Sequence, residues 1–86
     1  MKYVIKKGFL IDKLDDEIVI FDEEKSVLYT LNHTATEIFK LLKKGLNEEE
    51  IIEKMVKKYN VKEDKVKKDF KKLINDLFEK KIIEKI

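Results

Sequence analysis

Apolar positions change their period once along the chain, near residue 32. Before it, β-branched, aromatic and aliphatic residues come in three short runs, Phe9–Leu14, Glu17–Phe21 and Ser26–Leu31. Runs of this length and composition predict strands. The segments between them, Asp15-Asp16 and Asp22-Glu23-Glu24-Lys25, are polar and of hairpin length. The pattern predicts a three-stranded antiparallel meander. Its middle strand is apolar at every position from Ile18 to Phe21, which predicts cover on both faces. Residues 1–8 are predicted to add a short strand or to wrap the sheet edge.

Beyond residue 32 the apolar residues recur at helical spacing. Thr34-Ala35-Thr36-Glu37 has the spacing of a capping box, with Asn32 as an alternative cap. Ala35, Ile38, Phe39 and Leu42 follow as a stripe that Gly45 ends. Asn47 and three acidic residues, Glu48-Glu49-Glu50, suit the start of a second helix, where the dipole is positive. Its stripe is Ile51, Ile52, Met55, Val56 and Tyr59. A third helix is predicted from about Glu63 to Lys80, with the stripe Val66, Phe70, Leu73, Ile74, Leu77 and Phe78. The tail, Ile82–Ile86, is too short for a helix and is predicted to pack as an extended piece. Three strands followed by three helices predict one α+β domain over residues 1–86. The tight helix–helix connections beside a small sheet suggest a winged helix-turn-helix.

Composition narrows the function. Hydrophobic residues make up 43% of the chain, enough for a core, so a disordered tail is excluded. There is no Cys, so a disulfide framework, a thiolate metal site and a Cys nucleophile are excluded. The single His33 has no second His or Cys to share a metal with. Two glycines cannot build a glycine-rich phosphate loop. No Ser or Thr has a His–acid arrangement to activate it. The acidic groups Asp15-Asp16-Glu17 and Asp22-Glu23-Glu24 lack the ligand spacing of a calcium loop and read as solvated turns. No catalytic residue, metal or cofactor is therefore expected. The longest apolar run, Ile18–Phe21, is far too short to span a membrane, and the N-terminus lacks a signal-peptide core. A cytoplasmic, non-enzymatic domain without a membrane partner is expected.

Two features point to a binding surface. The third predicted strand lies at a sheet edge, yet Ser26-Val27-Leu28-Tyr29-Thr30-Leu31 carries no charge and no Pro. Soluble proteins usually guard such edges. Either the protein covers this edge itself, for instance with its tail, or an extended peptide docks there as an added strand. The second feature is charge. Residues 1–39 hold five Lys and eight acids, a net of −3, and residues 40–86 hold fifteen Lys and ten acids, a net of +5. Lys62, Lys65, Lys67, Lys68, Lys71 and Lys72 crowd the first half of the last helix, where the dipole disfavours them. They are either part of a generally Lys-rich surface or a positive face for an acidic partner.

The order of motifs resembles the PqqD-like family, also called the RiPP recognition element, over about residues 9–83. The stretch Tyr29-Thr30-Leu31-Asn32-His33-Thr34-Ala35 is similar to the family's aromatic strand followed by Leu-Asn-x-Thr-Ala. Ile38-Phe39, Leu42, Gly45, Glu49-Glu50-Ile51-Ile52, Tyr59 and Val61 follow in order, then Asp69-Phe70, Leu73-Ile74, Leu77 and Ile82-Ile83. Three positions depart from the family: Lys81 stands where Gly is usual, Phe70 where a smaller aliphatic is common, and Lys62 in place of the usual cap. The resemblance implies a domain that binds the leader segment of a ribosomally made precursor peptide by strand addition. It also implies delivery of that peptide to a modifying enzyme, often a radical-SAM enzyme, or a protease or cyclase in lasso-peptide pathways. On this reading Val27, Leu28, Tyr29, Thr30 and Leu31 give main-chain bonds to the leader. Val66, Phe70 and Ile74 form pockets, and Lys67 and Lys71 attract leader carboxylates. The rival is a DNA-binding winged helix. The net charge of only +2 and the complete absence of Arg argue against nucleic acid. An exposed edge strand can also pair between two copies, which allows a homodimer.

Overall fold

A computed structural model of the chain describes residues 3–86; Met1 and Lys2, part of the predicted N-terminal strand, lie outside the described residues. The element order is β1 (Tyr3–Ile5), β2 (Phe9–Leu14), β3 (Glu17–Asp22), β4 (Val27–Thr30), α1 (His33–Lys43), α2 (Glu48–Tyr59), α3 (Glu63–Glu79) and β5 (Ile83–Lys85). Strands β2, β3 and β4 form the expected antiparallel meander, and β1 pairs antiparallel with β5 in a second, two-stranded sheet. The tail is thus extended, but it covers β1 rather than the edge of β4. The winged-helix-like order of sheet and helices is as expected.

Sheet register decides which side chains reach the core. Ile18 and Ile20 are buried opposite Leu31 and Tyr29, and the helices pack on that face. The other face carries Val19 and Phe21, which are only half-buried, between the exposed Leu10 and Leu28. Double cover of the middle strand is therefore corrected: period-2 geometry sends Val19 and Phe21 to a face that no element of the described residues packs on. Strand β4 is also shorter than predicted, because Ser26 adopts φ +54° in the preceding turn.

The join between sheet and helices rests on one hydroxyl. Thr36 is fully buried, and its Oγ1 accepts the Ile18 N–H at 3.0 Å while donating to the Leu31 carbonyl at 3.2 Å. Leu31 N–H donates to the Ile18 carbonyl at 2.9 Å. The hydroxyl therefore takes the place of the second ladder bond of the 18–31 pair. It ends the β3–β4 ladder and turns the chain into α1. The cap of α1 is Asn32, whose Oδ1 accepts the Ala35 N–H at 2.8 Å. The predicted Thr34–Glu37 box does not form, because the Glu37 carboxylate is drawn to α2 instead. At α2 the expected Asn47 cap is a reciprocal box with Glu50, at 2.9 and 3.0 Å. Lys62 gives α3 no side-chain cap.

Helices α1 and α3 close with the same device. Gly45 (φ +91°) and Lys81 (φ +59°) each occupy the left-handed position after their helix. Leu46 N–H reaches back to the Leu41 carbonyl at 3.3 Å, and Ile82 N–H to the Leu77 carbonyl at 2.9 Å. Lys81 thus holds a conformation that suits Gly, the residue the family resemblance implies there.

Candidate functional site

The free edge of β4 follows from its register. Leu31 bonds directly to Ile18, so Tyr29 and Val27, two and four residues back, also direct their N–H and C=O groups toward β3. The alternating residues, Leu28 and Thr30, direct theirs away from the sheet. Among the described residues no strand lies beyond them. Strand β4 therefore offers two donors and two acceptors at the spacing an extended peptide needs.

Helix α3 faces this edge across a gap. No Cα of α3 comes within 8 Å of a Cα of β4. Between them lies a cleft of about 290 Å³, walled by Thr30 and Leu31 on one side and by Lys65, Asp69, Lys72, Leu73 and Asp76 on the other. Asn32, Thr34 and Ala35 close one end. At the other end the Lys80 ammonium sits 5.2 Å from the centre of the Tyr29 ring, within cation–π range. The helix face on the cleft is charged. Lys65 pairs with Asp69 at 3.2 Å, whereas no carboxylate lies within 4 Å of the Lys72 ammonium among the described residues.

The site residues proposed from sequence are split by this geometry. Val27 to Leu31 lie on the strand as expected, but only Leu28 and Thr30 present free backbone. Val66, Phe70 and Ile74 are buried in the core rather than lining the cleft beside β4. Phe70 meets the Tyr3 ring of β1 at a centroid distance of 6.3 Å. Lys67 and Lys71 lie roughly opposite the cleft face, because a helix turns by roughly 100° per residue. Lys67 approaches Glu63 at 3.9 Å and lines a separate cleft with Glu48 and Glu49 of α2. The residues that do face β4, Lys65, Asp69, Lys72 and Asp76, recur on successive turns of α3. Their signal in the sequence was a charged stripe beside an apolar one, and charge alone does not say which stripe meets the sheet edge.

A second polar cluster ties α1 to α2. The Glu37 carboxylate accepts the Tyr59 hydroxyl at 2.7 Å and the Lys40 and Lys58 ammoniums at 3.0 Å each. The Tyr59 bond, helped by the two lysines, holds the Glu37 carboxyl down at about 2 against the opposing effect of burial. The same bond raises the Tyr59 phenol. His33 packs edge-on against the Tyr59 ring at 6.1 Å. It serves as a packing residue at the start of α1. Among the described residues no three His, Asp or Glu side chains gather where a metal could bind, and no helix is long and apolar enough to cross a membrane.

The family model described as coenzyme PQQ synthesis protein D (PqqD) matches residues 17–83. Two solved structures are similar over nearly the full chain. TbiB1, solved in complex with the TbiA(beta) leader peptide, is 26% identical, with a TM-score of 0.86 over 100% of this chain and 98% of that one. A lasso peptide synthetase B1 complexed with the leader peptide is 19% identical, with a TM-score of 0.89 over 99% of this chain and 100% of that one, and shows the same fold. No curated protein matches the chain.

Proposed function

The chain belongs to the PqqD family, and from that premise we propose that it binds the leader segment of a ribosomally made precursor peptide and presents it to a modifying enzyme. The observation that carries this reading is the unpaired edge of β4 facing α3 across an open cleft. An extended leader adds to β4 through the Leu28 and Thr30 backbone, and its side chains alternate between the cleft and the outer face of the sheet. Lys72, Lys65 and Asp69 then meet the side chains directed at α3. This chain forms one such binding domain and performs no chemistry itself. The modifying enzyme is of the radical-SAM or lasso-maturation type. The complex assembles in the cytoplasm, where ribosomally made precursors arise.

An amide-shift NMR titration tests this. The probe is a synthetic peptide copied from the leader of the precursor encoded next to this gene, with a random DNA duplex as comparison. Saturable shifts at Leu28, Thr30, Lys65 and Lys72 with peptide only are expected. Shifts with DNA only, lost in moderate salt, would replace the peptide reading with phosphate binding.

A further inference from the structure

Lys80 also borders a separate, larger recess of about 500 Å³ between the β1–β2 connection, the β3–β4 turn and the end of α3. Five lysines line it: Lys6, Lys7, Lys25, Lys80 and Lys81. No carboxylate lies within 4 Å of any of their ammonium groups among the described residues. Three acids share the recess, Asp22, Glu23 and Glu24. Asp22 is buried, and its Oδ1 is committed to the Lys25 N–H at 3.1 Å, so it belongs to the turn. Five cations thus stand against two free surface carboxylates.

The opposite end of the cleft is different. There Lys65 is already paired with Asp69, and the cleft continues into a small, mainly apolar hollow lined by Met55, Tyr59, Val61 and Val66. The surroundings of the two ends of the β4 edge therefore differ in charge. Lys80 links the β4 edge to the basic end, because it stacks on Tyr29 and also lines the recess. A strand added to β4 leaves the sheet past Val27, where the β3–β4 turn and its Lys25 begin the recess.

We infer that this lysine recess binds aspartate or glutamate side chains of the same peptide, in the residues that flank its strand-paired segment at the Val27 end. The inference rests on the leader-binding reading and adds to it a charge requirement and a polarity. Complementary charge at the rim of an interface mainly raises the association rate and selects orientation. Acidic residues on one flank only would bind in one direction along β4, since the other end of the groove offers no free cluster of cations.

The test uses the full chain and the same synthetic leader peptide at about 50 mM salt, where charge effects extend farther than at physiological ionic strength. The triple variant Lys7→Gln, Lys25→Gln, Lys80→Gln is compared with Lys57→Gln, Lys67→Gln, Lys71→Gln. The second set removes the same charge from α2 and from the side of α3 turned away from β4. The recess variant is expected to bind about tenfold more weakly and the control less than about twofold. On the peptide, changing Asp and Glu to Asn and Gln on one flank should weaken binding, and on the other flank should not. That loss should vanish in the recess variant, as a double-mutant cycle requires for interacting groups. Equal affinity of both triple variants, indifference to both flanks, or a leader with no flanking carboxylate would overturn the inference. Leu28 and Thr30 shifts that persist in those cases leave leader binding intact. Their absence in the unaltered protein overturns both readings.

Discussion

Strands β2 and β4 flank β3 in the same sheet, and each leaves one row of backbone groups unpaired. On β2 the unpaired residues are Phe9, Ile11 and Lys13, because the bond from Glu23 N–H to the Gly8 carbonyl sets the opposite parity. That edge is blunted. The Lys13 N–H is taken by the neighbouring Asp12 carboxylate at 2.7 Å, and both residues are charged. On β4 the unpaired residues are Leu28 and Thr30, uncharged and facing the cleft beside α3. Edge strands are liabilities that proteins manage. Here one edge carries a charged pair that also takes one of its donors, while the other carries no charge at all, so the openness of β4 reads as function rather than neglect.

The largest expected effect breaks the comparison directly. Thr30→Pro removes a donor that no β3 group uses, so the fold should survive while peptide affinity drops about a hundredfold. Ile11→Pro makes the same change on β2 and should leave affinity within about twofold. Isothermal titration of both variants, with melting curves as the folding control, decides it; equal losses would mean that β4 is not the docking edge.

Next in size is Thr36→Val. It leaves the Ile18 N–H and the Leu31 carbonyl without their hydroxyl partner at the end of β4, and β2 is untouched. A stability loss of about 2 kcal/mol is expected from denaturant unfolding. Hydrogen exchange should quicken at the Ile18 amide, which loses its acceptor, and not along β2.

Lys72→Glu sharpens the contrast between the faces of α3. It should weaken leader binding about fivefold at low salt, whereas Lys67→Glu on the far side should change it little. Stability has smaller levers away from both edges. Lys81→Gly relieves a left-handed residue at the end of α3 and should add about 0.5–1 kcal/mol, read from the denaturation midpoint.

A last effect is a pH dependence. Glu37 has its carboxyl lowered from 4.5 to about 2 in the folded chain, first by the Tyr59 hydroxyl. A lowered acid contributes stability that is present above its unfolded value and lost as pH falls through the folded one. Stability should therefore decline from about pH 4.5 toward about pH 2, and Glu37→Gln should flatten that slope without altering peptide affinity at neutral pH.

Much of this was legible in local pattern. The three meander strands, the three helices, the Asn47 cap and the absence of charge on Val27–Thr30 could all be read from neighbours in sequence. Asn32 and Thr34 were both plausible caps by spacing. Asn32 took the role once Glu37, the partner a Thr34 box needs, was drawn across to Tyr59 and Lys58, some twenty residues away. Lys81 stood out only as a departure, until its φ showed that it fills a helix-ending position made for glycine.

What the chain determined by itself is the set of amphipathic elements and their order, because period-2 and helical repeats depend on residues a few positions apart. It also determined that one edge strand carries no guard. The tertiary structure alone decided which face of α3 meets that edge. The apolar stripe holding Val66, Phe70 and Ile74 turned inward against the core and Tyr3. That rotation carried Lys67 and Lys71 to the far side and set Lys65, Asp69, Lys72 and Asp76 along the cleft. A helix's rotation is set by the burial of its apolar stripe against distant elements. The pairing of β1 with β5 and the lysine recess have the same origin, since each joins residues from opposite ends of the chain.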